Sequence, residues 1–172
     1  NTPFRRHKTW VHEGGISTPF IVHWPNGIAA RDELRSSMAH VIDIAPTILD
    51  LAGVERAHSG APPMSGKSLT SAFMNDGVTV HEELWFYHED NRALRQGDWK
   101  IVRGNPAREL PMAQLATATK KNDADWSLYN LAEDRTEQND LALQHIELVE
   151  AMESRWYELR EGFLRDATRA AE

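Results

Sequence analysis

At 172 residues the chain is long enough for one domain with a sizeable core. Hydrophobic residues make up 41% and charged residues 26%, and no run of 18 apolar residues offers a membrane-spanning helix. A formal net charge of -7 argues against a general nucleic-acid binder, and zero cysteines exclude disulfides and thiolate metal sites.

Residues 1–17 are polar, and Gly14-Gly15 signals a tight turn where no side chain fits. Pro19 to Pro25 (Pro-Phe-Ile-Val-His-Trp-Pro) reads as a short strand, and its continuous apolar run fits burial on both faces in a parallel sheet. Residues 36–53 read as a helix, with Asp43 as N-cap, Pro46 in the first turn, Ile44, Ile48, Leu49 and Leu51 as an apolar stripe, and Gly53 as C-cap. Residues 54–66 are a loop by composition, and Leu69 to Phe73 add one helical turn.

Beyond residues 75–80 the pattern changes. Glu83–Tyr87, Asn91–Arg95, Trp99–Val102 and Trp126–Leu131 read as four short strands, with turns at Gln96-Gly97-Asp98 and Asp134–Glu137. Residues 103–124 form a polar insertion, partly helical over 112–118. Ile146, Val149, Met152, Trp156, Leu159 and Phe163 recur at spacings of three and four and predict a final amphipathic helix. The expected architecture is α/β, as an α+β fragment. A strand and helix from an α/β layer (1–78) precede a small four-stranded antiparallel sheet covered by one helix (79–172).

Lys8-Thr9-Trp10-Val11-His12-Glu13-Gly14-Gly15-Ile16-Ser17-Thr18-Pro19 resembles the Lys-x-x-x-x-Glu-Gly-Gly-x-x-x-Pro segment of the sulfatase family, within the alkaline-phosphatase-like superfamily. The run Trp85-Phe86-Tyr87-His88-Glu89-Asp90-Asn91-Arg92-Ala93, followed by Gly97-Asp98-Trp99-Lys100, resembles the family's later hairpin. Trp126-Ser127-Leu128-Tyr129-Asn130-Leu131, with Asp134 and Glu137, resembles its late structural segment. The resemblance covers nearly all the chain except residues 103–124. It implies the end of a sulfatase α/β sheet layer followed by the family's C-terminal subdomain, and a C-terminal fragment whose catalytic machinery lies mostly upstream.

On the residues alone Lys8 is a solvated lysine in a basic run; the resemblance makes it the ammonium that contacts the sulfate. His12 either reaches the sulfate or leaving group or is a satisfied polar histidine. Glu13 is expected to hold the turn by hydrogen bonds to backbone. Asp43 is better read as a helix cap than as a metal ligand. The resemblance places His88, Asn91 and Arg92 beside the active-site mouth: His88 as a pocket residue for the organic part of the substrate, Asn91 as a weaker candidate, and Arg92 either there or paired with an acid of the sheet. Trp85 and Trp99 are expected in the core.

The family's nucleophile is a formylglycine made from a Cys/Ser-x-Pro-x-Arg motif, which this chain lacks. Its calcium ion is held by Asp and Asn residues, here expected upstream. The resemblance therefore implies a parent that hydrolyses aryl or carbohydrate sulfate esters, in the periplasm or outside the cell, and a fragment that is inactive alone. The expected partner is a sulfated small molecule or carbohydrate, with no nucleic acid and no membrane. Self-association through Phe20 to Trp24 is a further expectation. The alternatives are a phosphodiesterase or phosphonate hydrolase of the same superfamily, or a non-catalytic carbohydrate-binding module.

Overall fold

The computed structural model describes residues 2–29, 32–54, 64–105 and 126–169. The expected insertion helix over 112–118 lies outside these residues. Compactness divides the chain into Asn1–Pro19 with Trp85–Glu172, and Phe20–Leu84. Residues 1–19 thus pack with the C-terminal sheet.

The sheet is a meander in the order β1 (Glu83–His88), β2 (Asn91–Gln96), β3 (Trp99–Arg103) and β4 (Ser127–Asn130). Pairing of Gln96 with Trp99 leaves Gly97-Asp98 as the two-residue turn, and Lys100 lies opposite Tyr129. The β1–β2 turn is Glu89-Asp90, both left-handed at φ 49° and 65°, which is the backbone of a type I′ hairpin made without glycine.

Strand alternation sorts the sheet into two apolar faces. Leu94, Ile101 and Leu128 gather with Trp126 and with Met152 and Trp156 of the final helix, α4 (Ile146–Arg169). Ala93, Val102 and Tyr129 gather with Leu131 and with Val11 of the N-terminal segment. Trp156 is the centre of the first face. It is fully buried, stacks on Trp85 at 5.2 Å, and donates from Nε1 to the Phe86 carbonyl at 3.2 Å. Of the apolar face read for this helix, Ile146 and Phe163 stay 57% and 49% exposed. A 24-residue helix is about 36 Å long, and strands of four to six residues are too short to cover it.

In the Phe20–Leu84 unit two expectations are corrected. Residues 19–25 form no strand, and Ile21 is 88% exposed. Among the described residues nothing pairs with this segment, and a strand needs a neighbour to satisfy its ladder. The helix expected over 36–53 starts later, as a 3-10 turn Val41–Asp43 leading into α2 (Ile44–Leu51). Gly53 does end it: at φ 64°, its N–H bonds the Asp50 carbonyl and the Val54 N–H reaches Leu49, both at 3.0 Å, the pairing of a Schellman cap. The helical turn after Leu69 is α3 (Thr70–Met74).

Asp43 does not cap α2. Its buried carboxylate instead accepts the N–H of His40 at 2.7 Å, the N–H of Lys67 at 2.9 Å, and His81 Nε2 at 2.8 Å. Burial pushes this carboxyl up, but the Lys67, His40 and His81 bonds outweigh it and hold it below the usual carboxylate range.

Trp156→Ala should destabilise the sheet unit by about 3–5 kcal/mol, read as a shift of the denaturant midpoint. Asp43→Asn presents an NH2 to groups that donate. It should cost about 1–3 kcal/mol near neutrality. Because the folded carboxyl titrates low, its stabilisation is present above the unfolded pKa and fades as pH falls through the folded value; the mutant's deficit should shrink in acid.

Candidate active-site segment

Lys8 sits at the tip of a β-turn closed by Trp10 N–H to the His7 carbonyl at 3.1 Å. Thr9, third residue of that turn, has φ 81°, the left-handed value of a type II turn, where glycine is usual and a β-branched residue is strained. Arg6 is also left-handed at φ 65°. Lys8 itself is exposed. A folded loop thus presents its ammonium to solvent.

The loop doubles back onto α1 (Glu13–Ile16), with Gly14 N–H bonded to the Arg5 carbonyl at 2.9 Å. A Cβ on Gly14 would run into the Arg5 and Arg6 carbonyls, and one on Gly15 into that of Trp10. This is the close approach that the Gly-Gly pair signalled.

Beneath the loop lies a buried ion triad. Lys100 Nζ, on β3, donates to Glu13 Oε1 at 2.8 Å and to Glu137 Oε1 at 2.9 Å, and Glu13 N–H donates to Glu137 Oε2 at 2.8 Å. Lys100 and Glu137 have no exposed surface and Glu13 is 3% exposed. Glu13 was expected to bond backbone; its carboxylate faces a lysine instead. Burial pushes the Glu137 carboxyl up, while Lys100 and the Glu13 N–H oppose that rise. Arg5 Nη1 adds bonds at 2.9 Å to the Glu137 carbonyl and to the Tyr129 hydroxyl.

His12 is 6% exposed, and its Nδ1 has no hydrogen-bond partner among the described residues. Burial first, then the charges of Lys100, Arg5 and Arg6, push its pKa down to about 3. It is a neutral imidazole at ordinary pH, able to share a hydrogen bond but not to bring positive charge to an anion.

The hairpin residues part company. Asn91 is fully buried; its Nδ2 donates to the Thr9 carbonyl at 3.0 Å and to the His88 carbonyl at 3.1 Å, and its Oδ1 accepts Asn105 N–H at 2.9 Å. It thereby ties the β1–β2 hairpin to the Lys8 turn, residues far apart in sequence. The His88 ring is exposed beside Glu89, 3.7 Å away. Arg92 leaves by the other face: Nη1 donates to the Tyr157 hydroxyl at 2.9 Å, and the guanidinium lies 5.3 Å over the Trp156 ring. The acid partner considered for Arg92 is therefore replaced by two aromatic residues of α4.

Among the described residues no group of three or more His, Asp or Glu converges on a metal-sized site. No residue here is assigned to calcium.

Sequence reasoning missed Lys100, Glu137 and Arg5 as parts of this site. The available signal was register: Lys100 shares a strand face with Val102, so a charge on an apolar face demanded buried partners.

Residues 5–162 match the family model described as N-sulphoglucosamine sulphohydrolase, C-terminal. An uncharacterised sulfatase of Schizosaccharomyces pombe is 30% identical over 172 residues, covering 93% of this chain and 28% of the relative. An N-acetylgalactosamine-6-O-sulfatase of Bacteroides thetaiotaomicron is 26% identical over 148 residues, covering 85% and 28%. Among solved structures, a sulfatase from a B. thetaiotaomicron locus that metabolises multiple glycosaminoglycans superposes with TM-score 0.69 at 25% identity, covering 93% of this chain and 32% of that one. A Pseudoalteromonas sulfatase shares the fold at TM-score 0.71 and 23% identity, covering 95% and 33%. The chain thus spans under a third of the length of these relatives.

His12→Gln tests the electrostatics. A histidine whose folded pKa is about 3 against 6.5 unfolded makes stability fall as pH drops through that window, since only the unfolded chain takes the proton. The substitution should flatten the dependence of stability on pH there by up to one proton, about 1.4 kcal/mol per pH unit, in denaturation curves taken across the window.

Proposed function

Because the chain belongs to the sulfatase family, forming the C-terminal part of such a protein, we propose that it completes the active site of an enzyme that hydrolyses sulfate esters of carbohydrates. The observation that carries this reading is Lys8, exposed at the tip of a closed, strained turn that rests on buried ions. A fixed ammonium beside a sulfate neutralises charge on its oxygens, and it does so most where negative charge grows, as the ester S–O bond lengthens.

Carbohydrate is the favoured substrate class because the named relatives include an N-acetylgalactosamine-6-O-sulfatase and an enzyme of glycosaminoglycan metabolism. The β1–β2 hairpin fits that class: Asn91, which holds the Lys8 turn, also bonds the backbone carbonyl of His88, whose ring is exposed. Asn91 itself has its amide committed to backbone, and Arg92 is turned toward α4, so His88 is the hairpin residue best placed to meet a sugar.

The nucleophile is expected outside these residues as a formylglycine, since no Cys/Ser-x-Pro-x-Arg motif is present. The chain on its own then turns over nothing. Calcium, where the complete enzyme holds it, supplies further charge neutralisation at the sulfate, and no residue here is given a part in that.

Lys8→Ala in the complete enzyme should lower kcat on an aryl sulfate and on a sulfated sugar by about 10²–10³-fold. Turnover at the unsubstituted level would remove Lys8 from the site.

A further inference from the structure

The strain around Lys8 has to be held by something. Arg6 and Thr9 are both non-glycine residues in the left-handed region, and both lie within two positions of Lys8. Such residues persist only where the surroundings over-determine the backbone, and they gather at functional sites. The surroundings can be named. Three residues before Lys8, the Arg5 guanidinium bonds the Glu137 carbonyl and Tyr129, and the Arg5 carbonyl accepts Gly14 N–H. One residue after it, the Thr9 carbonyl accepts Asn91 Nδ2. Five residues after it, Glu13 is gripped twice, its carboxylate by Lys100 and its N–H by Glu137.

Glu137 is the meeting point. It receives Lys100, the Glu13 N–H and, at its carbonyl, Arg5, and it is itself left-handed at φ 56°. Its own position is set by the Asp134 side chain, which accepts Gln138 N–H at 2.7 Å and Asn139 N–H at 2.8 Å. A buried lysine between two buried carboxylates is a poor way to gain stability, because desolvating the ions offsets most of their attraction. It is a good way to fix a backbone, because each ion tolerates little displacement.

We propose that Glu137 and Lys100 are positioning residues for catalysis: through Glu13 and Arg5 they hold the strained turn that fixes the Lys8 ammonium. This rests on the sulfatase reading above. Neither residue touches substrate. Their effect appears as lost placement of Lys8, and a misplacement of about 1 Å can cost about a hundredfold in rate.

The experiment uses the complete enzyme with an aryl sulfate substrate and the single substitutions Glu137→Gln and Thr9→Gly, each alone and combined with Lys8→Ala. Glu137→Gln keeps size and leaves Lys100 paired with Glu13. Thr9→Gly suits the left-handed backbone, so the protein folds while the turn loses stiffness. Melting curves establish that each variant is folded, and Thr9→Gly decides the matter if Glu137→Gln does not fold.

The expected result is a fall in kcat of about ten- to a hundredfold with little change in KM, since the interaction weakened is one made chiefly in the transition state. In the Lys8→Ala background the same substitutions should cost less than about twofold more, because they act through the side chain already removed. A folded variant with parental kcat, or losses that multiply with that of Lys8→Ala, would overturn the proposal. Full turnover in Lys8→Ala alone would instead overturn the role of Lys8 on which it rests, so the two failures are told apart.

Discussion

Lys100 leaves β3 on the same side as Val102, in a layer otherwise filled by Ala93, Tyr129 and Leu131. Its stem suits that layer and its ammonium does not. A buried ammonium without partners would carry the full cost of its desolvation, and the two carboxylates that meet it offset that cost. They arrive from opposite ends of the chain: Glu13 from the N-terminal segment, Glu137 from the turn after β4. That single cation therefore decides that residues 5–16 lie against the sheet, and the Gly14-Gly15 pair makes the approach sterically possible.

The two faces of the sheet consequently differ in kind. The α4 face is held mainly by area and ring packing, with Trp85 and Trp126 each against Trp156 and a few hydrogen bonds from Trp156 and Arg92. Packing of that sort is non-directional, so it sets the helix against the sheet without fixing any one backbone group. The opposite face combines a modest apolar layer with directional bonds to Arg5, Thr9 and Glu13, which do fix such groups. The segment that bears Lys8 is on the directional side. The Phe20–Leu84 unit relies on directional bonding too, but through Asp43, one carboxylate gathering His40, Lys67 and His81.

Secondary structure in the C-terminal half was legible because its signals are local. Alternating strands, Gly97, and a helical repeat from Ile146 to Phe163 each leave a mark within a few residues. Gly53 and the Gly14-Gly15 pair were legible for the same reason. The strand read at Pro19–Pro25 was not formed, because apolar content states that a segment wants burial without stating that a partner is present. The ion triad was illegible for a different reason. Glu13, Lys100 and Glu137 are separated by 87 and 37 residues along the chain, and only strand register reveals that they face one another. Lys8 was singled out by resemblance alone, since an exposed lysine has no distinguishing chemistry until the turn beneath it is seen.

The bonds that join the β1–β2 hairpin to the Lys8 turn run between the Asn91 amide and two backbone carbonyls, those of Thr9 and His88. The ring at position 88 takes no part in them. That side chain can be exchanged without breaking either bond, so on the proposed reading the face offered to a sugar can vary while the turn that bears Lys8 keeps its place. A division of this kind confines variation to an exposed ring and leaves the backbone junction behind it unchanged.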